Sequence, residues 1–427
     1  MPVLIGSVMV LALWGRALPS IGIAQATLTS TPKSQGTTSP PALQVVPTVP
    51  NRLPTTSWHS SSQAEAQLVQ VYQLIAQGDT RRALQHAQAL VREFPNFALG
   101  QLAYADLLTA RTQGLDAVGA GAGTSPAAQE ELQTLLDEAR TRLRAISESP
   151  QIPRIPQAFV RLAPKFKHAI AIDVSRNRLY LFENRDGGLV RVADYYASIG
   201  KMGADKQQEG DQRTPLGLYF ITSQLDPESL QPFYGSGALP INYPNVLDQR
   251  RGKTGSGIWL HGTPPEQFSR PPRASDGCIV LANPDLDHVL RTVAVNTPVL
   301  IAQDLQWTTP QATEPLRAQF ESRLNAWLHA KSTGQWEQFS TFYAPDFNKD
   351  GLGLSDVLPR LQRDFNRVKG RGITLKDLSL MYWKDQEDIW VVTFGEVLDG
   401  QSRGIVRRQY WGQRGDRWQI FYEGVIG

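Results

Sequence analysis

Three prolines fall within "SPQIPRIPQ", residues 149–157, and they divide the chain into parts that cannot share one architecture. Each proline removes a backbone donor and fixes φ, so neither a helix nor a central strand runs through the stretch. Before it, apolar residues recur at the three- and four-residue spacing of an amphipathic helix. After it they alternate with a period of two, as on a pleated strand. A second change follows "DLQWTTPQATEP" (304–315), where helical spacing returns and then gives way again to strands. A chain of 427 residues is long enough for such a multidomain plan at ~150 residues per domain. The pattern predicts an N-terminal all-α repeat-like module, a central mostly-β domain and a C-terminal α+β unit.

The helical module is expected over 62–150. "SQAE", Ser62 to Glu65, has the form of a capping box. Leu68, Tyr72 and Ile75 share one face of the first helix, which Gly78-Asp79 ends. Ala83, Leu84, Ala87, Leu90, Val91 and Phe94 mark a second helix, and Leu99, Leu102, Ala103 and Leu107 a third. Ser125-Pro126 is an N-cap and first turn for a fourth, with Leu132, Leu135, Leu136, Ala139 and Leu143 on one side. The stretch 78–108 resembles a tetratricopeptide repeat, with one unit and half of another. Three or more are normally needed for a free-standing solenoid, so a small docking module is the expectation.

The central domain is expected over 164–304. "HAIAIDVSRNRLYLFENRDG" reads as two strands joined near Asn177. "LVRVADYYASIGK" and "LGLYFITSQL" add strands around the polar loop "MGADKQQEGDQRTP". In "GIWLHG", Ile258 and Leu260 share one face and Trp259 and His261 the other. "CIVL" and "TPVLIA" are further strands, and Asn283 is placed as the N-cap of a helix between them. In the C-terminal unit, 314–427, Leu316, Phe320, Leu324, Trp327 and Leu328 mark a helix. Residues 355–369 form another, and four strands follow in a meander. Tyr382, Trp383, Trp390, Phe394, Tyr410, Trp411 and Trp418 either fill its core, the commoner use of such aromatics, or line a ligand pocket.

The N-terminus is apolar from its second residue, and Ala24-Gln25-Ala26 offers a small-residue cleavage site, so 1–26 reads as an export signal. An uncleaved membrane anchor is the alternative, although Arg16 leaves the apolar run short for a span. Residues 27–61, rich in Ser, Thr, Pro and Gln, read as a linker. The expected location is the periplasm or cell envelope, where an envelope protein is the natural partner for a helical docking module. A formal charge of +3 with no basic cluster gives no case for nucleic acid.

Export sharpens the meaning of Cys278, the only cysteine. Exported cysteines usually pair, so a lone one is buried and inert, bridges two chains, or is a reactive thiol. His261 stands 17 positions upstream (278 − 261), at the end of a short strand. Cys278 follows "RASDG" and opens an apolar strand, with Gly277 permitting a tight turn. Two strand ends on one rim bring imidazole and thiol within reach, the requirement for a base-activated nucleophile held by a third group. Backbone N–H groups near Gly277 and Cys278 would then serve an oxyanion. A metal site needs more ligands than this spacing supplies, and neither a metal nor a cofactor is expected.

"GIWLHGTP…ASDGCIVL" resembles the signature of the YkuD-type L,D-transpeptidase family, a His-Gly strand end followed by a Ser-x-Gly-Cys turn. "IAIDVSRNRLYLFENRDG", "YYASIGK" and "RTPLGLYFI" extend the resemblance over about 165–303 in the same order. The resemblance implies Cys278 as nucleophile, His261 as base, and Ser275, Gly277 and Gly262 as shaping residues. It implies peptidoglycan stem peptides as substrate, through an acyl-enzyme released to an amine or to water. The family usually has His where this chain has Asp276. That residue either orients His261 or simply faces solvent. The family often has a basic residue or Asn after the cysteine, where this chain has Ile279, Val280 and Leu281. Recognition of a substrate carboxylate is therefore assigned to Arg270 or Arg273, with Trp259 on the His261 face as a further substrate contact. The C-terminal unit resembles the nuclear-transport-factor-like cone. That pairing is similar to the branch that includes L,D-carboxypeptidases. A non-catalytic envelope-binding protein is the alternative from another class.

Overall fold

The computed structural model describes residues 63–111, 125–150, 153–186 and 188–426. The expected export signal, linker and Ser62 lie outside the described residues. No helix among the described residues is long and apolar enough to cross a membrane.

Four helices form the N-terminal part: α1 (Gln63–Ala76), α2 (Thr80–Glu93), α3 (Ala98–Thr109) and α4 (Pro126–Ser147). Asp79 caps α2 by accepting from the Arg82 N–H at 3.1 Å, and Ser125 caps α4 through Ala128 at 3.2 Å. Each satisfies a backbone donor that the first helical turn leaves open. Leu68, Val71, Ala83, Ala87, Leu90, Leu99 and Ala103 close a common core. Glu65, the acidic member of the expected capping box, is buried with its carboxylate beside Arg142 and Arg178.

The central sheet contains β1 (His168–Asp173), β2 (Arg178–Arg185), β3 (Gly188–Tyr196), β5 (Gly217–Phe220) and β10 (Pro298–Ala302), in the order β3-β2-β1-β10-β5. Only β1 and β10 are parallel, Val299 lying beside Ile170. Asn177 turns the β1–β2 hairpin with φ of 49°. Both faces of the sheet are buried. Ile170, Ile172, Leu179 and Leu181 point into a core shared with a second, smaller set of strands. Ala169, Ala171, Tyr180 and Phe182 point the other way, against the C-terminal sheet. The Ile170 side carries β6 (Ala238–Pro240), β7 (Trp259–His261) and β9 (Ile279–Val280), in the order β9-β7-β6. Beside them β4 (Ile199–Gly200) pairs with β8 (Arg273–Ser275), and α5 (Asn283–Thr292) closes the core through Leu286 and Val289.

The C-terminal part has α6 (Glu314–Thr333) and α7 (Leu354–Val368), then the meander β11 (Ile373–Lys384), β12 (Asp388–Leu398), β13 (Ile405–Arg414) and β14 (Arg417–Val425). Its sheet is completed by Phe159–Arg161, which pairs with β11. Ile155–Pro156 likewise pairs with Trp307–Thr308. Within the proline-rich segment, Ile155–Pro156 thus forms a separate two-stranded pair, where a missing donor is tolerated, and the strand just after it carries the C-terminal sheet beyond 314–427. Phe320 stacks on Trp390 with ring centres 4.3 Å apart, and Trp390, Phe394 and Trp411 are core residues rather than pocket walls. Tyr382 and Trp383 do line a cavity of about 370 Å³, with Leu216, Leu300 and Leu305 across the seam.

Candidate active site

Strand register places the imidazole and the thiol. In the parallel pair β7–β9, Leu260 lies beside Ile279 and His261 beside Val280. Leu260 and Ile279 point into the core. Alternation along a strand therefore sends His261, and Cys278 just before Ile279, to the opposite face. Leu281 N–H donates to the His261 carbonyl at 2.9 Å, which fixes the two strands at this point.

His261 is 1% exposed, and its Nδ1 lies 2.8 Å from the Gly262 carbonyl oxygen. A carbonyl only accepts, so Nδ1 carries the proton and Nε2 keeps its lone pair. Burial pulls the imidazole down to about 4, with a nearby Arg270 charge acting in the same direction. The rings of Tyr234 and Phe233 lie 5.1 Å and 6.0 Å from the His261 ring and form its lid. The group that orients the imidazole is the Gly262 carbonyl. Asp276 does not take this role: it is exposed and accepts from Lys201 and Gln212, each at 3.0 Å.

Cys278 is partly exposed, and its Sγ lies 3.4 Å from the Gly257 carbonyl. Burial of the sulfur pushes the thiol up. The Trp259 backbone N–H and the charges of Arg270 and Lys206 work against that, while Asp276 adds to it. The turn before Cys278 is held by Ser275, whose Oγ donates to the Cys278 carbonyl at 2.6 Å and accepts from the Gly277 N–H at 3.2 Å. Gly277 has φ of +124°, and a Cβ there would lie 2.7 Å from the Arg213 carbonyl. Thr214 ties this turn to β4, accepting from Gly200 N–H and donating to the Gly277 carbonyl, both at 3.0 Å. Gly262 is required for a different reason: a Cβ would meet Asn283 Oδ1 at 2.0 Å.

The sequence reading placed Asn283 as an N-cap, but Ala282 caps α5. Asn283 instead ties together the loop behind His261. Its Oδ1 accepts from Thr263 and Ser236 N–H at 3.1 Å each, and its Nδ2 donates to the Thr263 carbonyl at 2.8 Å. Thr214, Asn283, Phe233 and Tyr234 are the site residues that sequence reasoning missed. The Thr-Pro turn and the Asn-Pro pair were visible, but nothing local showed what their side chains would reach.

The two arginines separate clearly. Arg273 is exposed on β8. Arg270 is only 8% exposed and stacks over Phe233, its guanidinium carbon 4.2 Å from the ring centre. Among the described residues no carboxylate lies within ion-pair distance of Arg270. Trp259 is half-buried, its ring 4.9 Å from Tyr234 on the same side as His261. His288 packs on Tyr195, to whose hydroxyl it is hydrogen-bonded, away from this cluster. No group of three or more His, Cys, Asp or Glu among the described residues is arranged to hold a metal ion.

With this geometry in hand, comparison with known families is decisive for the central part: residues 167–301 match the L,D-transpeptidase catalytic domain YkuD. This segment is a YkuD domain. Among solved structures, Bd1075 of Bdellovibrio bacteriovorus shares the fold, with a TM-score of 0.54 and 24% identity, over 64% of this chain and 98% of that one. The helical cell shape determining protein Pgp2 from Campylobacter jejuni is similar at a TM-score of 0.49 and 23% identity, over 60% of this chain and 91% of its own. An L,D-transpeptidase from Stackebrandtia nassauensis is similar at 0.26 and 15%, over 40% of this chain and 68% of its own. No curated protein matches the chain significantly. The YkuD domain thus supports an enzyme that acts on peptidoglycan, and contributes both members of the His–Cys pair.

Proposed function

We propose that the protein cleaves and transfers peptidoglycan stem peptides through a thioester on Cys278, with His261 as general base. The carrying observation is a partly exposed thiol on the same strand face as a buried imidazole whose Nδ1 is anchored and whose Nε2 is free. Both groups rest neutral, since burial raises one and lowers the other. The sulfur attacks the scissile carbonyl carbon as its proton passes to Nε2. The Gly277 N–H is held by Ser275, which leaves the Cys278 N–H for the oxyanion. Collapse of the tetrahedral adduct breaks the C–N bond, and Nε2 returns the proton to the leaving amine. Water then hydrolyses the thioester to a shortened stem, or a second amine captures it as a crosslink. Arg270 is the group that binds a substrate carboxylate, being buried, aromatic-backed and, among the described residues, with no carboxylate at ion-pair distance. Export to the periplasm or envelope fits this substrate. The order of two helices then a meander supports reading the C-terminal part as nuclear-transport-factor-like.

Mass spectrometry of purified muropeptides after incubation tests this, with and without an amine acceptor. Loss of a terminal D-alanine alone would identify the carboxypeptidase reaction, and joined stems the transpeptidase reaction. Cys278→Ala is expected to reduce either by at least about a thousandfold with the fold intact. Unchanged muropeptides in every condition would overturn the reading in favour of a binding protein.

A further inference from the structure

The loop 263–272 joins His261 to the turn of Cys278 and carries Arg270; its two ends are held by the YkuD domain, Thr263 by Asn283 and Pro272 by Asn177 and the Ile199 N–H, while its middle is anchored on the helices. Phe268 is 4% exposed and belongs to the core of the helical module. Its ring lies 4.5 Å from Phe97 and 5.6 Å from Phe94, centre to centre. Its N–H donates to the Asn96 carbonyl at 3.3 Å, and Asn96 Nδ2 donates to the Pro265 carbonyl at 3.0 Å. Ser269 Oγ donates to Glu138 of α4 at 2.7 Å. Glu138 is in turn held by Arg142, which stacks over Tyr196 at 3.8 Å, and the Tyr196 hydroxyl donates to the Arg270 carbonyl at 2.9 Å. Arg270 is therefore gripped on both sides: its two predecessors sit on the helices, and its own carbonyl is held by a tyrosine that the helices brace.

We propose that the helical module is a positioning element of the active site, and that Phe268, Ser269 and Asn96 are positioning residues that hold Arg270 facing the Cys278 thiol. A module placed only for docking would leave this loop to the domain that owns it. Here the hinge between α2 and α3, Pro95 to Phe97, is occupied by the catalytic loop itself. A flexible loop would let the guanidinium swing to solvent, where a monovalent cation contributes little to a buried carboxylate site. The inference rests on reading Arg270 as the group that meets substrate anion.

Cys278 is the only cysteine, so its alkylation in the full-length protein reports on this one point. Iodoacetate and iodoacetamide attack the same thiolate but differ in charge. The ratio of their rates cancels the thiolate fraction and reads the local potential. Arg270→Gln should lower the iodoacetate-to-iodoacetamide ratio roughly 3- to 10-fold. Phe268→Ala, Ser269→Ala and Asn96→Ala should each lower it partway toward that value, with Phe268→Leu close to the natural protein. A lower ratio at an unraised iodoacetamide rate is the positioning result; a ratio that falls only where both rates rise would mean general loosening of the fold and would overturn it. If Arg270→Gln lowers the ratio and Asn96→Ala and Ser269→Ala leave it unchanged, positioning by the helices is overturned. If Arg270→Gln leaves it unchanged, the Arg270 reading itself falls and takes this inference with it. The two mild variants carry the test should Phe268→Ala fail to fold.

Discussion

His261 lies beneath Phe233 and Tyr234, and burial holds its imidazole at about 4. Two consequences follow for pH. The base form persists well below the ordinary histidine value, so the acid limb of kcat/KM should sit nearer pH 4 than pH 6.5. Stability moves in a defined direction. As pH falls from about 6.5, the unfolded chain takes up a proton that the folded chain refuses, so stability is lost between about 6.5 and 4 and levels off below. His261→Gln should remove that part of the acid loss in urea titrations, and an unaltered pH dependence would refute the assignment. Asp276 acts on the other partner. Its charge raises the thiol, while its exposed pair with Lys201 contributes at most about 1 kcal/mol to stability. Asp276→Asn should therefore move the pH profile of Cys278 alkylation to lower pH with an almost unchanged melting temperature. A shift to higher pH would show that the loss of order at Lys201 and Gln212 outweighs the charge.

At the scale of elements, the Ser275–Cys278 turn shows what alternation and turn chemistry reveal and what they leave dark. That "GIWLHG" and "CIVL" are short strands presenting His261 and Cys278 is legible, because period two assigns faces without knowledge of the partner strand. That they pair in parallel is not, since parallel neighbours are joined only by the whole fold. Gly277 was legible as a turn residue, but its need for glycine has a tertiary source in the Arg213 carbonyl. Asn283 failed as a cap for the same reason: local rules gave it a backbone partner in its own helix, and long-range partners, Thr263 and Ser236, took it instead. Gly277→Ala tests the tertiary constraint. The positive φ and the 2.7 Å approach both oppose a Cβ, so the loss should be about 1–3 kcal/mol by thermal or urea unfolding. Turnover should fall further than stability does, because the same shift displaces the thiol. A variant as stable and active as the natural protein would show that the turn relaxes freely.

In the whole molecule, the central sheet buries both faces, and this is why its neighbours on either side behave as parts of one body. The proline-rich boundary was legible as a break in periodicity. That Phe159–Arg161, just after it, adds to the edge of the C-terminal sheet was not, because strand addition of this kind is decided by a surface far away in sequence. Beside the Phe268 seam, the N-terminal join is ionic. Glu65 on α1 meets Arg142 of α4 at 2.8 Å and Arg178 of β2 at 2.7 Å, and Arg178 also reaches Asp194 of β3 at 2.6 Å. Burial opposes the Glu65 charge, and Arg178 and Arg142 overcome it, holding the carboxyl at about 2. Its stabilisation is present above the ordinary carboxylate value and is lost as pH falls through about 4.5 toward 2. Glu65→Gln leaves two buried guanidinium groups with one carboxylate each, Glu138 and Asp194, so the loss should fall below the about 3–5 kcal/mol of a fully broken buried pair. Because the network spans the helices and the YkuD sheet, that loss should uncouple them. Urea unfolding followed by helical circular dichroism should then show the helices melting before the sheet, with the iodoacetate preference of Cys278 disappearing in the same first transition. A single transition at the natural midpoint would mean that the apolar seam around Phe268 suffices and that the charges add nothing to it.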